Sequence, residues 1–214
     1  MLLIRGRFAT RSKTRETPGL GFMNDTERLQ TIILASPLLR PILDDWEKVA
    51  LADGWLAGGS IAQTVWNSVF GFPPLHGISD VDIAYFDPAD LSEAAEAQHT
   101  ARIHDALALP VRIDVKNEAR VHLWYAAKYG YAIPPYTSAT NAIATFPTTA
   151  TAVGIQPGAE RLTLHAPYGL TDLLGAIVRP NKTQITRDIY EAKTARWKAT
   201  WPDLAVIGWD EEPC

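Results

Sequence analysis

The chain has 214 residues and a net charge of −4, with 47% apolar and 21% charged residues. This length suits one domain with a substantial apolar core, and no stretch comes near the roughly 20 uninterrupted apolar residues of a membrane-spanning helix. The single cysteine, Cys214, excludes an intrachain disulfide and a zinc cluster built from cysteines. We therefore expect a soluble protein of the reducing cytoplasm without a membrane partner.

Positive charge is concentrated at the start of the chain. Residues 1–22 hold four Arg and one Lys against a single Glu, so they carry +4 and the remainder carries −8. We interpret residues 1–22 as a disordered basic arm, for which a mis-assigned start codon upstream of Met23 is the simplest explanation. Residues 23–214 are expected to form one domain with a C-terminal helical segment. Their negative charge argues against broad binding to nucleic acid.

In the first half of the chain, apolar residues at helical spacing predict two helices within residues 26–52. Residues 55–57 are a short apolar strand candidate that runs into Gly58-Gly59-Ser60, after which helical spacing resumes through residue 70. A loop rich in glycine and proline follows at 71–77, and alternating apolar and polar residues predict a strand over 81–86.

In the second half, the pattern over 92–109 predicts a helix capped by Ser92, and that over 111–115 predicts a second strand of the same sheet. Further helices are expected at 119–129 and in a short segment ending near 146. A hairpin is expected within 151–164, and helical segments at 170–177 and 186–201 close the chain. This succession indicates an α/β domain, more specifically α+β.

The turn Gly58-Gly59-Ser60 lies between the first predicted strand and the following helix. Backbone N–H groups at a helix N-terminus are unpaired and attract anions such as phosphate, glycines allow close approach, and Ser60 adds a hydroxyl donor. On its own, such a tripeptide is more often a purely structural turn. It indicates a phosphate site only if other functional groups converge on it.

Asp80 and Asp82 flank Val81 on a predicted strand, so both carboxylates face the same side. A hard divalent cation, Mg²⁺ or Mn²⁺, would relieve their repulsion, and Asp114 on the next strand can complete a three-carboxylate cluster. The alternative is an acidic strand end exposed to water. Lys116 shares the strand face of Asp114, where it either contacts a phosphate or pairs with that aspartate.

Together, Gly59-Ser60, Asp80, Asp82 and Asp114 resemble the polymerase-beta-type nucleotidyltransferase superfamily, which has a Gly-Ser turn opening a helix, then Asp-x-Asp and a third acidic residue on later strands. More closely, the chain after Met23 is similar to an uncharacterised bacterial family of nucleotidyltransferase-like proteins. The segments that carry this closer similarity are Trp66-Asn67 and residues 79–87, 115–125 and 166–173.

The resemblance implies a nucleotidyltransferase fold, a small mixed sheet flanked by helices. It also implies metal-dependent transfer of a nucleoside monophosphate from a nucleoside triphosphate to an unknown hydroxyl acceptor. Asp80, Asp82 and Asp114 would be the catalytic metal ligands, with Asp114 activating the acceptor. Gly58, Gly59, Ser60 and Lys116 would bind the nucleotide.

One departure from the superfamily pattern is the long connection of 20 positions between Ser60 and Asp80. The loop at 71–77 absorbs the excess, and we expect it to reshape or close the acceptor site. Two other functions stay open at this point. One is a catalytically inactive nucleotide-binding or regulatory module of the same fold. The other is a metal-dependent sugar transferase that holds a nucleotide-sugar through Asp80 and Asp82.

Overall fold

The computed structural model describes residues 23–159 and 161–211, so the predicted basic arm lies outside the described residues. Helix α1 (Asp25–Ala35) begins at a capping box. Asn24 Oδ1 accepts from the Glu27 N–H at 2.9 Å, and the Glu27 carboxylate accepts from the Asn24 N–H at 3.0 Å. Asn24 therefore starts the folded part of the chain that the structure describes.

The other helices and the strands follow the predicted order closely. The helices are α2 (Leu39–Asp44), α3 (Gly59–Phe70), α4 (Glu93–Leu107), α5 (Val121–Tyr129), α6 (Ala139–Ile143), α7 (Thr171–Leu174) and α8 (Arg187–Thr200), with 3-10 turns at Trp46–Lys48 and Glu118–Arg120. The strands are β1 (Trp55–Ala57), β2 (Asp80–Tyr85), β3 (Arg112–Asn117), β4 (Gly154–Pro157), β5 (Leu162–His165), β6 (Ile177–Val178) and β7 (Ala205–Val206). None of the described helices is both long and apolar enough to cross a membrane.

Five strands form one mixed sheet in the order β3-β2-β1-β4-β5. β1 pairs antiparallel with β2 and with β4, β4 pairs antiparallel with β5, and β2 and β3 run parallel. Asp82 is the register partner of Ala57 on one side and of Asp114 on the other. The α/β (α+β) fold class, with a small mixed sheet flanked by helices, is confirmed.

The two faces of this sheet are covered differently. Leu56, Val81, Ile83 and Val115 are completely buried in the main core, together with residues of α1 and α3 that include Leu29, Ile33, Ile61, Val65 and Trp66. The opposite face carries a smaller apolar cluster of Trp55, Ala57 and Ala84 with Ala139 and Ile143 of α6. Because side chains alternate along a strand, Asp80 and Asp82 share this second face with Ala84.

The prediction of a helix over 170–177 is wrong at its end. The helix α7 is a single turn, after which Ala176 takes a φ of 53° and the chain enters β6. This strand pairs in parallel with β7, which follows α8. A short apolar run such as Ile177-Val178 has no periodicity that distinguishes a helix from a buried strand, so only the partner strand decides it.

The loop at 71–77 is fixed by the buried side chain of Asn67. Its Nδ2 donates to the carbonyl oxygens of Pro74 at 3.2 Å and His76 at 2.9 Å, and its Oδ1 accepts from Trp201 Nε1 at 2.7 Å. None of residues 71–77 lines the cavity that holds the aspartates. Asn67 thus connects the loop to Trp201, and the expectation that the loop reshapes or closes the acceptor site stays a prediction.

We predict that Asn67→Ala lowers the free energy of unfolding by about 2–4 kcal/mol, since it leaves a buried indole N–H without an acceptor and frees the loop. Urea denaturation measures this difference. Ser68→Ala, which changes an exposed residue of the same helix, serves as the control. A loss below about 1 kcal/mol for Asn67→Ala would contradict the role given to this side chain.

Candidate active site

The turn between β1 and α3 requires glycine at its first position. Gly58 has a φ of 73° and a ψ of −131°, and a Cβ there would lie 3.2 Å from the Phe146 ring and 3.5 Å from Asp82 Oδ2. The turn is held against the sheet by the Gly58 N–H, which donates to the Val153 carbonyl at 3.0 Å. Glycine thus permits both the backbone conformation and the close approach of Asp82.

Ser60 lies in the first turn of α3 and is 1% exposed. Its hydroxyl oxygen is buried and has no hydrogen-bond partner among the described residues, although it borders the cavity. A buried hydroxyl without a partner costs free energy, and such groups in folded proteins call for an explanation. An anion at the helix N-terminus would supply the missing acceptor.

The three predicted aspartates border the same cavity as Ser60. Asp80 and Asp82 are half-buried on β2, and Asp114 is half-buried on β3, opposite Asp82. Burial, together with the nearby charges of Asp80 and Asp114, raises the pKa of Asp82 to about 6 against the opposing effect of Lys193 and Lys116. The strands thus concentrate negative charge around Asp82.

Two of the three aspartates already have basic partners. Asp80 accepts hydrogen bonds from Arg112 at 3.1 Å and from the Ser79 hydroxyl at 2.7 Å. Lys116 Nζ lies 2.9 Å from Asp114 Oδ1 and also 3.7 Å from the Glu96 carboxylate. The predicted pairing of Lys116 with Asp114 is present in the structure. The contact of Lys116 with a phosphate stays a prediction.

Metal binding at these aspartates also stays a prediction. Within residues 23–159 and 161–211, no group of three or more His, Cys, Asp or Glu side chains stands ready to hold a metal ion. The donor chemistry nevertheless fits a hard divalent cation, because carboxylate oxygens are its preferred ligands and the mutual repulsion at Asp82 would fall. Asp80 and Asp114 would have to exchange their basic partners for the cation.

Two cations of the site were not identified from the sequence. Lys193 and Arg196 lie on α8, and both border the cavity with the aspartates. Burial lowers the pKa of Lys193, and the nearby Asp82 opposes that change. The available signal was the helical spacing of Ile189, Lys193 and Arg196, which places them on one face. Nothing in that spacing indicates that the face meets β2.

Glu118 is a fourth carboxyl group that sequence reasoning missed. It begins the 3-10 turn directly after β3, is 6% exposed and borders the cavity. Burial, together with the charges of Asp82, Glu96 and Asp114, raises its pKa to about 8 against the opposing effect of Lys116. The spacing of Asp114, Lys116 and Glu118 at every second position could have revealed it as a residue of the same face.

All these groups surround one cavity of about 330 Å³, the size that suits a single small ligand. The glycine turn, the aspartates and the α8 cations border it. Aromatic side chains form much of the wall, and they are Trp124, Tyr125, Tyr129, Tyr136, Phe146 and Trp197. The arrangement can receive an elongated molecule with an anionic part and a flat apolar part.

We predict that Glu118→Gln makes stability less dependent on pH. Between its usual pKa of 4.5 and its folded value of about 8, the folded chain keeps a proton that the unfolded chain releases, so the wild type loses stability as pH rises. The variant should match the wild type near pH 5 and exceed it by about 3–5 kcal/mol near pH 8.

Urea denaturation at several pH values provides this comparison. Glu93→Gln, which removes a carboxylate that is 89% exposed, corrects for the general effect of losing one negative charge. If the wild type and Glu118→Gln gave parallel curves of stability against pH, the buried carboxyl would not be the cause of the loss.

Known proteins are similar to this chain in sequence and in structure. A family model described as nucleotidyltransferase matches residues 44–206, which include the glycine turn and all three aspartates. An NMR structure described as revealing a CCA-adding enzyme head domain is similar over 89% of this chain and 100% of its own, with 25% identity and a TM-score of 0.72. No curated protein matches significantly. Because the family model covers well over half of the sequence, the chain belongs to this nucleotidyltransferase family.

Proposed function

We propose that the protein is a divalent-metal-dependent nucleotidyltransferase that moves a nucleoside monophosphate from a nucleoside triphosphate to a hydroxyl acceptor. The observation that carries this proposal is the buried Ser60 hydroxyl, which has no partner and borders the same cavity as Asp80, Asp82 and Asp114. Membership of the nucleotidyltransferase family supports the reaction class.

The triphosphate would bind at the end of the cavity where positive charge collects. Gly58, Gly59 and Ser60 open α3, whose first N–H groups and dipole favour an anion. Lys193 and Arg196 of α8 add two cations from the facing wall. These groups would hold the β- and γ-phosphates and orient the α-phosphate toward β2.

Asp80, Asp82 and Asp114 would hold Mg²⁺ or Mn²⁺. When bound, the cation neutralises phosphate oxygens and makes the acceptor hydroxyl more acidic. Asp82 suits the role of central ligand, because the charges of both Asp80 and Asp114 act on it and it is the register partner of Asp114. It also has no hydrogen-bond or salt-bridge partner among the described residues. Arg112 and Lys116 would keep Asp80 and Asp114 ordered before binding.

In the transfer step, the acceptor oxygen forms a bond to the α-phosphorus, and the bond from that phosphorus to the β-phosphate oxygen breaks. The proton of the acceptor hydroxyl passes to the Asp114 carboxylate, and pyrophosphate leaves. Lys116 is a positioning residue in this scheme, since it holds Asp114 at 2.9 Å until the cation takes its place. Its positive charge also limits repulsion between Asp114 and the triphosphate.

A nucleotide-binding module without turnover is the second candidate. The pairing of Asp80 with Arg112 and of Asp114 with Lys116 favours it, because both pairs compete with a metal ion for the carboxylates. The two functions differ in one measurable product. Only the transferase releases pyrophosphate from a nucleoside triphosphate labelled at the α-phosphate and passes the label to a component of a cell extract.

We predict that Asp82→Asn abolishes this metal-dependent transfer while stabilising the fold. The folded state raises the pKa of Asp82 from 3.8 to about 6, so above pH 6 ionised Asp82 costs about 1–3 kcal/mol that asparagine avoids. Label transfer with Mg²⁺ or Mn²⁺ and urea denaturation at pH 7.5 measure the two effects.

Asp172→Asn is the matched control, because Asp172 lies outside the cavity lining and accepts from Thr149 at 2.7 Å and Arg179 at 3.0 Å. It should lose stability and keep its transfer activity. A less stable Asp82→Asn protein that still transfers the label would remove the metal-site interpretation.

We further predict that Ser60→Ala weakens triphosphate binding by roughly tenfold or more without loss of stability. A hydrogen bond to a charged group contributes about 1.5–3 kcal/mol, whereas the free protein has no Ser60 hydrogen bond to lose. Calorimetric titration with a triphosphate and a thermal melt test both statements. Ser138→Ala, which removes a helix cap that accepts from Asn141 N–H at 2.9 Å, should show the opposite pattern.

A further inference from the structure

The carboxyl group of Glu118 has no assigned task in the transfer reaction. It is nine-tenths buried and borders the cavity, yet none of the described residues gives it a hydrogen bond or a salt bridge. A buried polar group in that condition is costly unless a ligand satisfies it. The question is which ligand could supply the missing donors.

The polar groups that are close to Glu118 in sequence, or that interact with it electrostatically, already have other partners. Lys116 pairs with Asp114 and Glu96, and Arg120 donates to Glu96 at 3.1 Å. The Tyr136 hydroxyl, which lies within electrostatic range of Glu118, donates to Gln184 Oε1 at 2.8 Å. The carboxyl oxygens of Glu118 therefore stay available to a molecule inside the cavity.

The backbone of Glu118 lies beyond the level of the glycine turn, although its carboxyl group is within electrostatic range of Asp82. Ala57 and Asp114 are both level with Asp82, so the glycine turn leaves the sheet at that level, while β3 continues to Asn117 and Glu118 begins the turn that follows. The walls bordering this part include Tyr125 of the helix that follows Glu118, as well as Tyr136. Aromatic walls of this kind suit a flat ring, on which they stack.

We infer that Glu118 selects the nucleotide, accepting hydrogen bonds from N1–H and the 2-amino group of guanine, so that the triphosphate is a guanine nucleotide. Guanine is the common base that presents two adjacent N–H donors on one edge, which match the two oxygens of a carboxylate. A cavity of about 330 Å³ suits one nucleotide, so we assign the base to the triphosphate rather than to the acceptor. This inference rests on the proposed function.

Calorimetric titrations of the full chain with GTP, ITP and ATP in Mg²⁺ test the inference, at pH 8.5 to favour the carboxylate form. The wild type should bind GTP roughly 10–100-fold more tightly than ATP, as expected for a bidentate contact. ITP lacks the 2-amino group and should fall between them. In Glu118→Gln, which offers one acceptor oxygen and one NH₂ donor, the preference for GTP over ATP should shrink to about threefold or less.

Glu93→Gln is the control for charge and should keep the full preference for GTP. Equal affinities of the wild type for GTP and ATP would overturn the inference, as would a GTP preference that survives in Glu118→Gln. Binding of guanosine in the presence of saturating ATP would show that the guanine belongs to the acceptor. It would therefore overturn its assignment to the triphosphate. If Glu118→Gln does not fold, the order of GTP, ITP and ATP on the wild type still decides.

The failure of this inference can be told apart from that of the proposed function. Triphosphates that bind with Mg²⁺ but without preference for guanine would refute the role of Glu118 alone. A wild-type protein that binds none of the three triphosphates, with or without Mg²⁺, would refute both.

Discussion

The parallel pairing of β2 with β3 is the constraint on which the rest of the site depends. Its register sets Asp82 beside Asp114 on the face that also carries Asp80. The three carboxylates are half-buried there, so their negative charges repel one another. A hydrophobic core of Val81, Ile83 and Val115 on the opposite face fixes that register, because a slip by one residue would turn the carboxylates into the core.

The same register explains why charge is balanced by residues from several elements. Arg112 and Lys116 come from β3 itself, whereas Lys193 and Arg196 come from a helix near the end of the chain. These cations offset part of the repulsion, while burial and the remaining like charges keep the pKa values of Asp82 and Glu118 raised. The fold thus tolerates unfavourable electrostatic energy among the carboxylates of the site. A bound cation with an anionic ligand would relieve it.

The site also contains polar groups that the folded chain leaves unsatisfied. The Ser60 hydroxyl and the Glu118 carboxyl are buried at different parts of one cavity, and neither has a partner among the described residues. The Asn67 side chain, in comparison, makes three hydrogen bonds, while buried polar atoms without a partner among the described residues also occur outside the cavity, at Thr64 and Trp66. A ligand that accepts from Ser60 and donates to Glu118 would satisfy both groups of the cavity.

The sequence by itself determined the fold class and the order of the main elements, because periodicity and turn residues act over a few neighbours. Its resemblance to nucleotidyltransferases implied that Gly58, Ser60, Asp80, Asp82 and Asp114 act together, and these residues border one cavity. It could not determine the β6–β7 pair, the docking of the 71–77 loop or the presence of Lys193, Arg196 and Glu118 in the cavity. Those features depend on which surfaces of separate elements meet, as in the contact of Asn67 with Trp201, 134 positions apart in the chain. Only the tertiary structure decides such contacts, since local patterns show which face of an element is apolar and not what packs against it.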